Sequence, residues 1–390
     1  MPPIPLLVVH TNTLGSWLCD KYAHALQSAG AAVEVVGLRY DSGVNLIAGM
    51  CDNLVPQRTF GFHYEFKAKR RLLKAVERAF VDVHKMIERW RLFQYIRQSS
   101  ASHYVAVDPF ALDLCVNAKR GGQARVFYLP FEYYRNHAGV NERRKRQFIR
   151  IEKRHIPATE AWIVCGDAIL AEYVKAYGCA ERAHVVYNGW PKALPAQRKA
   201  LRDAAGIAPE QIVLLYQGGI SAARGVTDVV GALAHLPEQV CFVVLGYGHG
   251  VDELEQCARD AGVSHRVKVL PAVKQQCLMD YTADADVGLI PLRDIKSYRY
   301  ACPGKLFEFI GAGLPLVVSD FPDLGRFVKT YGLGEVFKSG DSIDLARALQ
   351  SLVISPAYRK QCSQNAQSLH ANTVCWEVQS KKLCDIILRP

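Results

Sequence analysis

Glu308 is a carboxylate flanked by apolar side chains in the stretch CPGKLFEFIGAGLPLVVSD, residues 302–320. A glutamate is almost never fully buried unless it has a partner. Glu308 must therefore either face solvent from a helix surface or meet a specific hydrogen-bond donor. Both interpretations stay open from this stretch alone.

A helix start with nearby cations precedes this glutamate. Pro303 and Gly304 form a helix-start signal before Lys305, and the free N–H groups of a helix start bind anions. Lys305 and Arg224 would add full positive charge for a diphosphate. Glu308 lies one turn further along, about 4–5 Å down the axis, where it can accept hydrogen bonds from ribose hydroxyls. The pattern predicts a nucleoside diphosphate lying along this helix start.

Two glycine-rich turns follow apolar strands in the second half of the chain. Strand 211–217 ends at Gly218 and Gly219, and another strand ends in LGYGHG, residues 245–250. One such turn alone is more often structural. The turns favour a nucleotide site because they occur together with Arg224 and a glutamate one turn into a helix.

These motifs resemble those of the retaining, nucleotide-sugar-dependent glycosyltransferases of the GT-B fold, the group 1 family. The resemblance covers most of residues 211–320, and the first half of the chain matches only in outline. Its clearest segments are YQGGISAARGVTDVVGALAHL, FVVLGYGHGVDELE, VKVLPAVKQQCLMDYTADADVGLIPL and CPGKLFEFIGAGLPLVVSD.

The resemblance implies a set of site residues. Arg224 and Lys305 would stabilise the departing diphosphate, and Gly15 and Ser16 would form a loop for the sugar or acceptor. The residues expected to bind the nucleotide sugar are Glu308, Gly218, Gly219, Gly246, Tyr247, Val273, Tyr300, Ala301, Cys302, Pro303 and Gly304.

Three departures from the family pattern concern the same site. Tyr300 stands where the family has a first glutamate, eight residues before Glu308, and Gly219 stands where it usually has an arginine. The family's catalytic histidine of the first domain has no clear counterpart. Glu132 and Asp108, each at the end of a predicted strand, are the candidates for its place.

No metal or other cofactor is expected. The stretch ADADVG, residues 283–288, contains the Asp-x-Asp of metal-dependent glycosyltransferases of another fold. No glycine-rich turn or phosphate-binding group stands beside it, so a structural role is predicted for Asp284 and Asp286. The histidines show no metal-ligand spacing either.

Short strands rich in Val and Leu must position these residues. The predicted fold class is α/β, with two doubly wound Rossmann-like domains facing a cleft and a final helix crossing back to the first domain. The domains are predicted at 1–192, joined by the final helix 372–390, and at 193–371. The strands are predicted at 5–10, 32–38, 103–107, 125–129, 161–165, 184–187, 211–217, 239–246, 266–271, 286–292 and 314–319.

The cysteine content and the charge distribution indicate where the protein would reside and what it could bind. Twelve cysteines without metal or disulfide spacing favour free thiols in the cytoplasm, and no apolar run reaches the roughly 18 residues that span a membrane. The basic charge lies in the first half, with 27 Lys and Arg against 17 Asp and Glu in residues 1–192. The stretches 66–98 and 141–155 carry most of it.

Two interpretations of these basic stretches stay open. In one they are helices with an apolar face in the core, formed by Leu73, Val76, Phe80, Val83, Ile87 and Trp90. In the other they dock on anionic lipid at the inner face of a membrane. Nucleic-acid binding is not expected, because no nucleic-acid-binding motif accompanies the charge.

The function expected from the resemblance is transfer of a hexosyl group from a nucleoside-diphosphate sugar, with retained configuration, to a hydroxyl of a glycan or lipid-linked acceptor. Such an enzyme would serve the synthesis of cell-surface polysaccharide or glycolipid. The alternatives are a nucleotide-sugar-binding partner subunit with little transfer activity and a sugar-nucleotide epimerase of the same fold. A Rossmann dehydrogenase is disfavoured, because no G-x-G-x-x-G follows the first strand.

Overall fold

The computed structural model describes residues 3–11, 16–38, 57–60, 71–119, 124–137, 139–192 and 200–389. Their contacts form two compact units. The first comprises Met1–Val186 with Ser380–Pro390, and the second comprises Tyr187–Gln379. Each unit is a parallel sheet with helices, which confirms the α/β class.

The first unit has a seven-stranded sheet in the order β3-β2-β1-β4-β5-β6-β7, with every pair parallel. Its strands are β1 (Pro5–His10), β2 (Ala32–Leu38), β3 (Gln57–Phe60), β4 (His103–Ala106), β5 (Arg125–Tyr128), β6 (Ala161–Val164) and β7 (Ala183–Val185). The six strands predicted in this half are confirmed, and β3 was missed. The strand order reverses between β1 and β4, where the carboxyl ends of both strands meet.

Five helices follow these strands among the described residues before Val186. They are α1 (Ser16–Ser28), α2 (Arg71–Gln98), α3 (Pro109–Ala118), α4 (Glu142–His155) and α5 (Asp167–Tyr177). Short 3-10 turns lie at Tyr134–Asn136, Ile156–Ala158 and Ala180–Arg182.

Helix α2 corrects one of the two interpretations of the basic stretch. Its buried residues include Val81, Leu92 and Ile96, whereas Phe80, Val83, Met86, Ile87 and Trp90 are exposed. The interpretation that placed Phe80, Val83, Ile87 and Trp90 in the core is therefore wrong, because a different face of the helix packs. The side chains of Leu73 and Val76 lie outside the described residues.

The second unit has a six-stranded parallel sheet in the order β10-β9-β8-β11-β12-β13. Its strands are β8 (Ile212–Gln217), β9 (Val240–Leu245), β10 (Val267–Leu270), β11 (Val287–Ile290), β12 (Leu316–Ser319) and β13 (Gly334–Phe337). The five strands predicted here are confirmed, and β13 was missed. The strand order reverses between β8 and β11, and such a reversal is where doubly wound sheets bind ligands.

The helices of the second unit cover both faces of this sheet. They are α6 (Ala200–Ala205), α7 (Val226–Leu233), α8 (Val251–Asp260), α9 (Leu278–Thr282), α10 (Lys296–Arg299), α11 (Gly304–Gly311), α12 (Pro322–Tyr331), α13 (Ser342–Ile354) and α14 (Pro356–Leu369). A π-helical turn, His370–Val374, follows α14 and leads into the last helix, α15 (Trp376–Leu388). The end of α15 belongs to the first unit, where the Cys384 thiol lies 3.6 Å from the carbonyl oxygen of Ala25.

Two apolar clusters form the core of the second unit. One contains Tyr216 and Leu214 of β8, and the other contains Leu215 of the same strand, because alternate side chains of a strand point to opposite faces. The second cluster also holds the apolar face of α11, formed by Leu306, Phe307, Phe309 and Ile310. This packing fixes α11 on the sheet.

No helix of the described residues is long and apolar enough to span a membrane.

Candidate functional site

The two glycine turns of the second unit pack against each other at the carboxyl ends of β8 and β9. Gly218 has φ +116°, and its N–H donates to the carbonyl oxygen of Leu245 at 2.9 Å. A Cβ on Gly246 would lie 2.0 Å from the carbonyl oxygen of Gly218. Only glycine fits at position 246, since the Cβ of any other residue would collide with the backbone of Gly218.

The residues that follow the two glycine turns also contact each other. The N–H of Ile220 donates to the carbonyl oxygen of Tyr247 at 2.8 Å, and the Tyr247 side chain stays exposed. A Cβ on Gly219, by contrast, would have nothing within 4 Å. The place where the family usually carries an arginine is therefore open space in this protein.

Lys305 points from the first turn of α11 to the first glycine turn. Its Nζ lies 3.9 Å from the centroid of the Tyr216 ring and 3.3 Å from where a Cβ on Gly218 would stand. The residue keeps some exposed surface, but Nζ itself is buried and has no hydrogen-bond partner among the described residues. Burial, together with the nearby positive charge of Arg224, lowers the pKa of Lys305 to about 7.

Arg224 brings a second cation to the same place. The turn after it contains Gly225, with φ +69°, where a Cβ would stand 1.7 Å from the carbonyl oxygen of Pro291. The Arg224 guanidinium carbon lies 4.8 Å from the centroid of the Tyr298 ring. Within the part of the chain that the structure describes, neither Arg224 nor Lys305 forms a salt bridge. Two adjacent cations without a carboxylate partner make this edge of the sheet electropositive.

Glu308 is half-buried on α11 and meets a specific donor. The Gln217 side-chain amide donates to its Oε2, and a Cβ on Gly304 would lie 3.7 Å from its Oε1. The carboxylate thus reaches back along the helix towards its N-terminus, as helical side chains do. Of the two interpretations of Glu308, the structure favours the one with a hydrogen-bond donor.

Gln217 and Thr282 are site residues that the sequence did not reveal. Both are buried, and the Thr282 hydroxyl lies 2.9 Å from Oε1 of Gln217. The available signal was weak. Gln217 is a polar residue that ends an otherwise apolar strand directly before Gly218.

The residues between α10 and α11 directly precede Lys305 in the chain. Tyr300 is the C-cap residue that follows α10 and is half-buried, and the N–H of Ala301 donates to the carbonyl oxygen of Tyr298 at 3.0 Å. Cys302 is buried, and Pro303 is the N-cap of α11 without a side-chain cap. Val273, further away in sequence, packs half-buried against the apolar cluster beneath α11.

The candidates Asp108 and Glu132 of the first unit follow β4 and β5. Asp108 caps α3 by accepting from the N–H of Ala111 at 2.9 Å, and it also accepts from the N–H and hydroxyl of Thr11 at 2.5 and 2.6 Å. These bonds give Asp108 a structural task. Glu132 is exposed after β5, so its role stays a prediction.

The predicted sugar or acceptor loop cannot be placed. Gly15 lies outside the described residues, and so does the side chain of Ser16, whose backbone begins α1.

Asp284 and Asp286 both contact Arg202. Oδ2 of Asp286 accepts from the Arg202 guanidinium at 2.6 Å and from the N–H of Val213 at 2.8 Å. Oδ2 of Asp284 accepts from the N–H of Arg202 at 2.8 Å. These bonds tie α6 to the sheet. Among the described residues, no group of three or more His, Cys, Asp or Glu side chains is placed to hold a metal ion.

Comparison with known proteins decides the family of the second unit. Residues 197–369 match the family model described as "Glycosyl transferases group 1". This segment belongs to the group 1 glycosyltransferases. The family predicted from Glu308 and the two glycine turns is thereby confirmed.

Two curated relatives, both D-inositol 3-phosphate glycosyltransferases, support this family. The chain is 31% identical over 248 residues to a D-inositol 3-phosphate glycosyltransferase of Xylanimonas cellulosilytica, covering 60% of this chain and 58% of that one. It is 25% identical over 253 residues to D-inositol 3-phosphate glycosyltransferase 2 of Catenulispora acidiphila, covering 61% and 58%. The matched region is thus less than two thirds of each relative.

Solved structures show the fold across nearly the whole chain. Anabaena Alr3699/HepE in complex with UDP-glucose matches with a TM-score of 0.74 at 17% identity, covering 98% of both chains. WaaG, a glycosyltransferase involved in lipopolysaccharide biosynthesis, matches with a TM-score of 0.67 at 18% identity, covering 99% and 100%. The predicted GT-B fold, with two Rossmann-like units, is confirmed.

Proposed function

We propose that this protein is a retaining glycosyltransferase that moves a sugar from a nucleoside-diphosphate sugar to an acceptor hydroxyl. The observation that carries the proposal is the buried Nζ of Lys305, which has no hydrogen-bond partner among the described residues and stands beside Gly218 at the switch point of the sheet. A buried ammonium is costly without a counter-charge. A diphosphate bound at the start of α11 would supply that charge.

The same geometry suits the chemistry of departure. As the bond between the sugar carbon and the diphosphate oxygen breaks, both electrons pass to that oxygen, and its negative charge grows. Lys305 and Arg224 are fixed cations near this position, and fixed charge aimed at a developing anion is the main catalytic lever. Glu308 would hold the ribose.

The acceptor step needs no strong base from the protein. The acceptor oxygen would form its bond to the same sugar carbon on the face that the diphosphate leaves, which retains the configuration. Its proton would pass to the departing phosphate oxygen. This path accords with Asp108, whose carboxylate is engaged by Thr11 and the start of α3.

UDP is the first nucleotide to try, because the similar Anabaena structures are described as complexes with UDP and UDP-glucose. For the acceptor we propose a hydroxyl of a glycan or lipid-linked glycan. The relatives named for inositol phosphate and the similar structure named for lipopolysaccharide biosynthesis support a small or lipid-linked polyol acceptor.

A thermal-shift screen against UDP, GDP, ADP, dTDP and CMP tests the donor site. One of the nucleoside diphosphates should raise the melting temperature. Calorimetry should show that Glu308→Ala weakens the binding of that nucleotide by ~10- to 100-fold, the range for a lost hydrogen bond to a charged group. Glu255→Ala, an exposed glutamate on α8, is the matched control and should bind like the parent. Equal affinity in parent and Glu308→Ala would remove the central assignment.

Turnover separates an enzyme from a binding subunit. The missing arginine at Gly219 and the missing glutamate at Tyr300 are the features that favour a subunit with little activity. Slow hydrolysis of the corresponding nucleotide sugar without acceptor is expected of an active transferase. Tight binding without any hydrolysis or transfer would favour the binding subunit.

We also propose that the first unit docks on an anionic membrane surface through α2. Its exposed apolar residues Phe80, Val83, Met86, Ile87 and Trp90 recur at helical spacing. Exposed Arg91 of α2 lies four residues after Ile87 and therefore on the same side of the helix. An apolar stripe bordered by an arginine complements anionic lipid.

Co-sedimentation with vesicles tests this docking. The protein should bind vesicles containing phosphatidylglycerol and bind pure phosphatidylcholine weakly, and the double change Ile87→Asn with Trp90→Ser should abolish pelleting. Ile343→Asn removes an equally exposed apolar side chain from α13 and should leave pelleting unchanged. Equal pelleting of the α2 variant and the parent would contradict the proposal.

A further inference from the structure

Gln217 and Thr282 connect the core of the second unit to the carboxylate of Glu308. Gln217 is 3% exposed and Thr282 is fully buried. The Gln217 Nε2 donates to Oε2 of Glu308, and the Thr282 hydroxyl lies 2.9 Å from Oε1 of Gln217. The three side chains come from β8, α9 and α11, so the chain of bonds depends on the packing of all three elements.

Chemistry fixes the orientation of the Gln217 amide. An ionised carboxylate only accepts hydrogen bonds, so Gln217 must turn its NH₂ towards Glu308 and its oxygen towards Thr282. The Thr282 hydroxyl also lies 2.8 Å from the carbonyl oxygen of Leu278, which could take its single proton instead. When the hydroxyl donates to Gln217, it stabilises the amide orientation that serves Glu308.

A neutral donor has a specific advantage at this place. The charge of Glu308 partly opposes the lowering of the Lys305 pKa by burial and Arg224, yet Lys305 Nζ donates no hydrogen bond to Glu308. A Lys305–Glu308 ion pair would use up the cation that a phosphate needs and the carboxylate that a ribose needs. Gln217 holds the carboxylate without consuming the positive charge.

We propose that Gln217 and Thr282 are positioning residues that hold the Glu308 carboxylate in the orientation that accepts both ribose hydroxyls. This inference rests on the proposed function, in which Glu308 binds the ribose. Gln217 donates to one of the roughly four acceptor directions of the carboxylate, and each carboxylate oxygen can accept more than one hydrogen bond. Thr282 acts one step further back, by selecting the amide orientation.

The experiment compares two ligands that differ only in the ribose hydroxyls, UDP and 2′,3′-dideoxy-UDP, or the equivalent pair for the nucleotide that the screen selects. Dissociation constants are measured by calorimetry. The parent should prefer the hydroxylated ligand by ~10- to 100-fold. Gln217→Leu should lose most of this preference by weakening UDP alone, while its affinity for dideoxy-UDP stays within about threefold of the parent.

Thr282 supplies a matched pair of variants. Thr282→Val keeps the shape and removes the hydroxyl, so the preference should fall by about threefold to tenfold. Thr282→Ser keeps the hydroxyl and should retain the preference. This pair decides the matter on its own if Gln217→Leu does not fold.

Three outcomes overturn the inference, and they differ from one another. If both Gln217→Leu and Thr282→Val keep the preference of the parent, the two residues do not position Glu308. If the variants weaken UDP and dideoxy-UDP equally, their role is general to the fold. If the parent itself does not distinguish the two ligands, the ribose role of Glu308 fails, and the positioning role fails with it.

Discussion

Glu152 in the first unit and Lys305 in the second are buried charged groups that lie beside tyrosine rings, and the two units treat them in opposite ways. Glu152 is fully buried and accepts hydrogen bonds from the hydroxyls of Tyr128 and Tyr173 at 2.8 Å and of Tyr177 at 2.6 Å. Lys305 has the face of the Tyr216 ring and no hydrogen-bond acceptor for its Nζ among the described residues.

The difference teaches how to distinguish a structural charge from a binding one. Burial raises the pKa of Glu152, and the three tyrosine hydroxyls oppose that shift, so the fold itself satisfies the group. At Lys305 burial disfavours the charged form of the amine, and the nearby positive charge of Arg224 disfavours it further, so the pKa is lowered. A group kept at such a cost next to a glycine turn is a candidate to meet its partner in a ligand.

The largest expected effect is loss of stability on changing Glu152. Glu152→Ala removes the acceptor of the hydroxyls of buried Tyr128 and Tyr173 and of half-buried Tyr177, which should lower the free energy of unfolding by about 3–5 kcal/mol. Glu152→Gln keeps one acceptor oxygen, so its free energy of unfolding should lie between that of Glu152→Ala and that of the parent. Urea unfolding followed by tyrosine fluorescence measures both. Glu142→Ala, at the exposed start of α4, is the control, and an equal loss there would mean that the tyrosine cluster is not special.

The opposite result is expected for Lys305. Lys305→Met removes an amino group that has no hydrogen-bond partner in the described part of the chain, and it keeps contact with the Tyr216 ring. The free energy of unfolding should therefore stay within about 1 kcal/mol of the parent or rise. Binding of UDP should nevertheless weaken by ~10-fold or more, because a charge-assisted contact is lost. A stability loss as large as that of Glu152→Ala would show that Lys305 is structural, and the comparison would fail.

These contrasts mark what could be foreseen from the sequence. The strands were predictable because buried parallel strands are continuous apolar runs, and the start of α11 was predictable because Pro303 and Gly304 are local signals. The Thr282–Gln217 contact joins residues 65 positions apart, and the Thr11–Asp108 contact joins residues 97 apart. Side-chain contacts at such separations follow from packing, which no local pattern encodes.

Helix α2 shows a different limit. Its apolar residues do recur at helical spacing, so the helix itself was predictable, and periodicity correctly put Phe80, Val83, Ile87 and Trp90 on one face. Periodicity cannot say which face meets the sheet. In this helix the packing surface includes Val81, Leu92 and Ile96 instead.

The smallest expected effect is a pH dependence of donor binding, which sharpens the assignment of Lys305. With a pKa of about 7, Lys305 is mostly protonated at pH 6 and mostly neutral at pH 8 in the free protein. A bound diphosphate favours the ammonium, so binding above pH 7 must be accompanied by proton uptake. The dissociation constant should therefore rise about tenfold from pH 6 to pH 8.

UDP-glucose is the suitable probe for this measurement, because its diphosphate lacks the terminal phosphate that titrates near pH 6. The Tyr216 hydroxyl next to Lys305 does not titrate in this range, since burial raises the pKa of Tyr216 to about 12. Calorimetry in two buffers of different ionisation enthalpy should show proton uptake at pH 8 and little at pH 6. Lys305→Arg keeps its charge and should lose the pH dependence. A parent whose affinity is flat across this range would place the phosphate away from Lys305, and the unpaired ammonium would then have no role in donor binding.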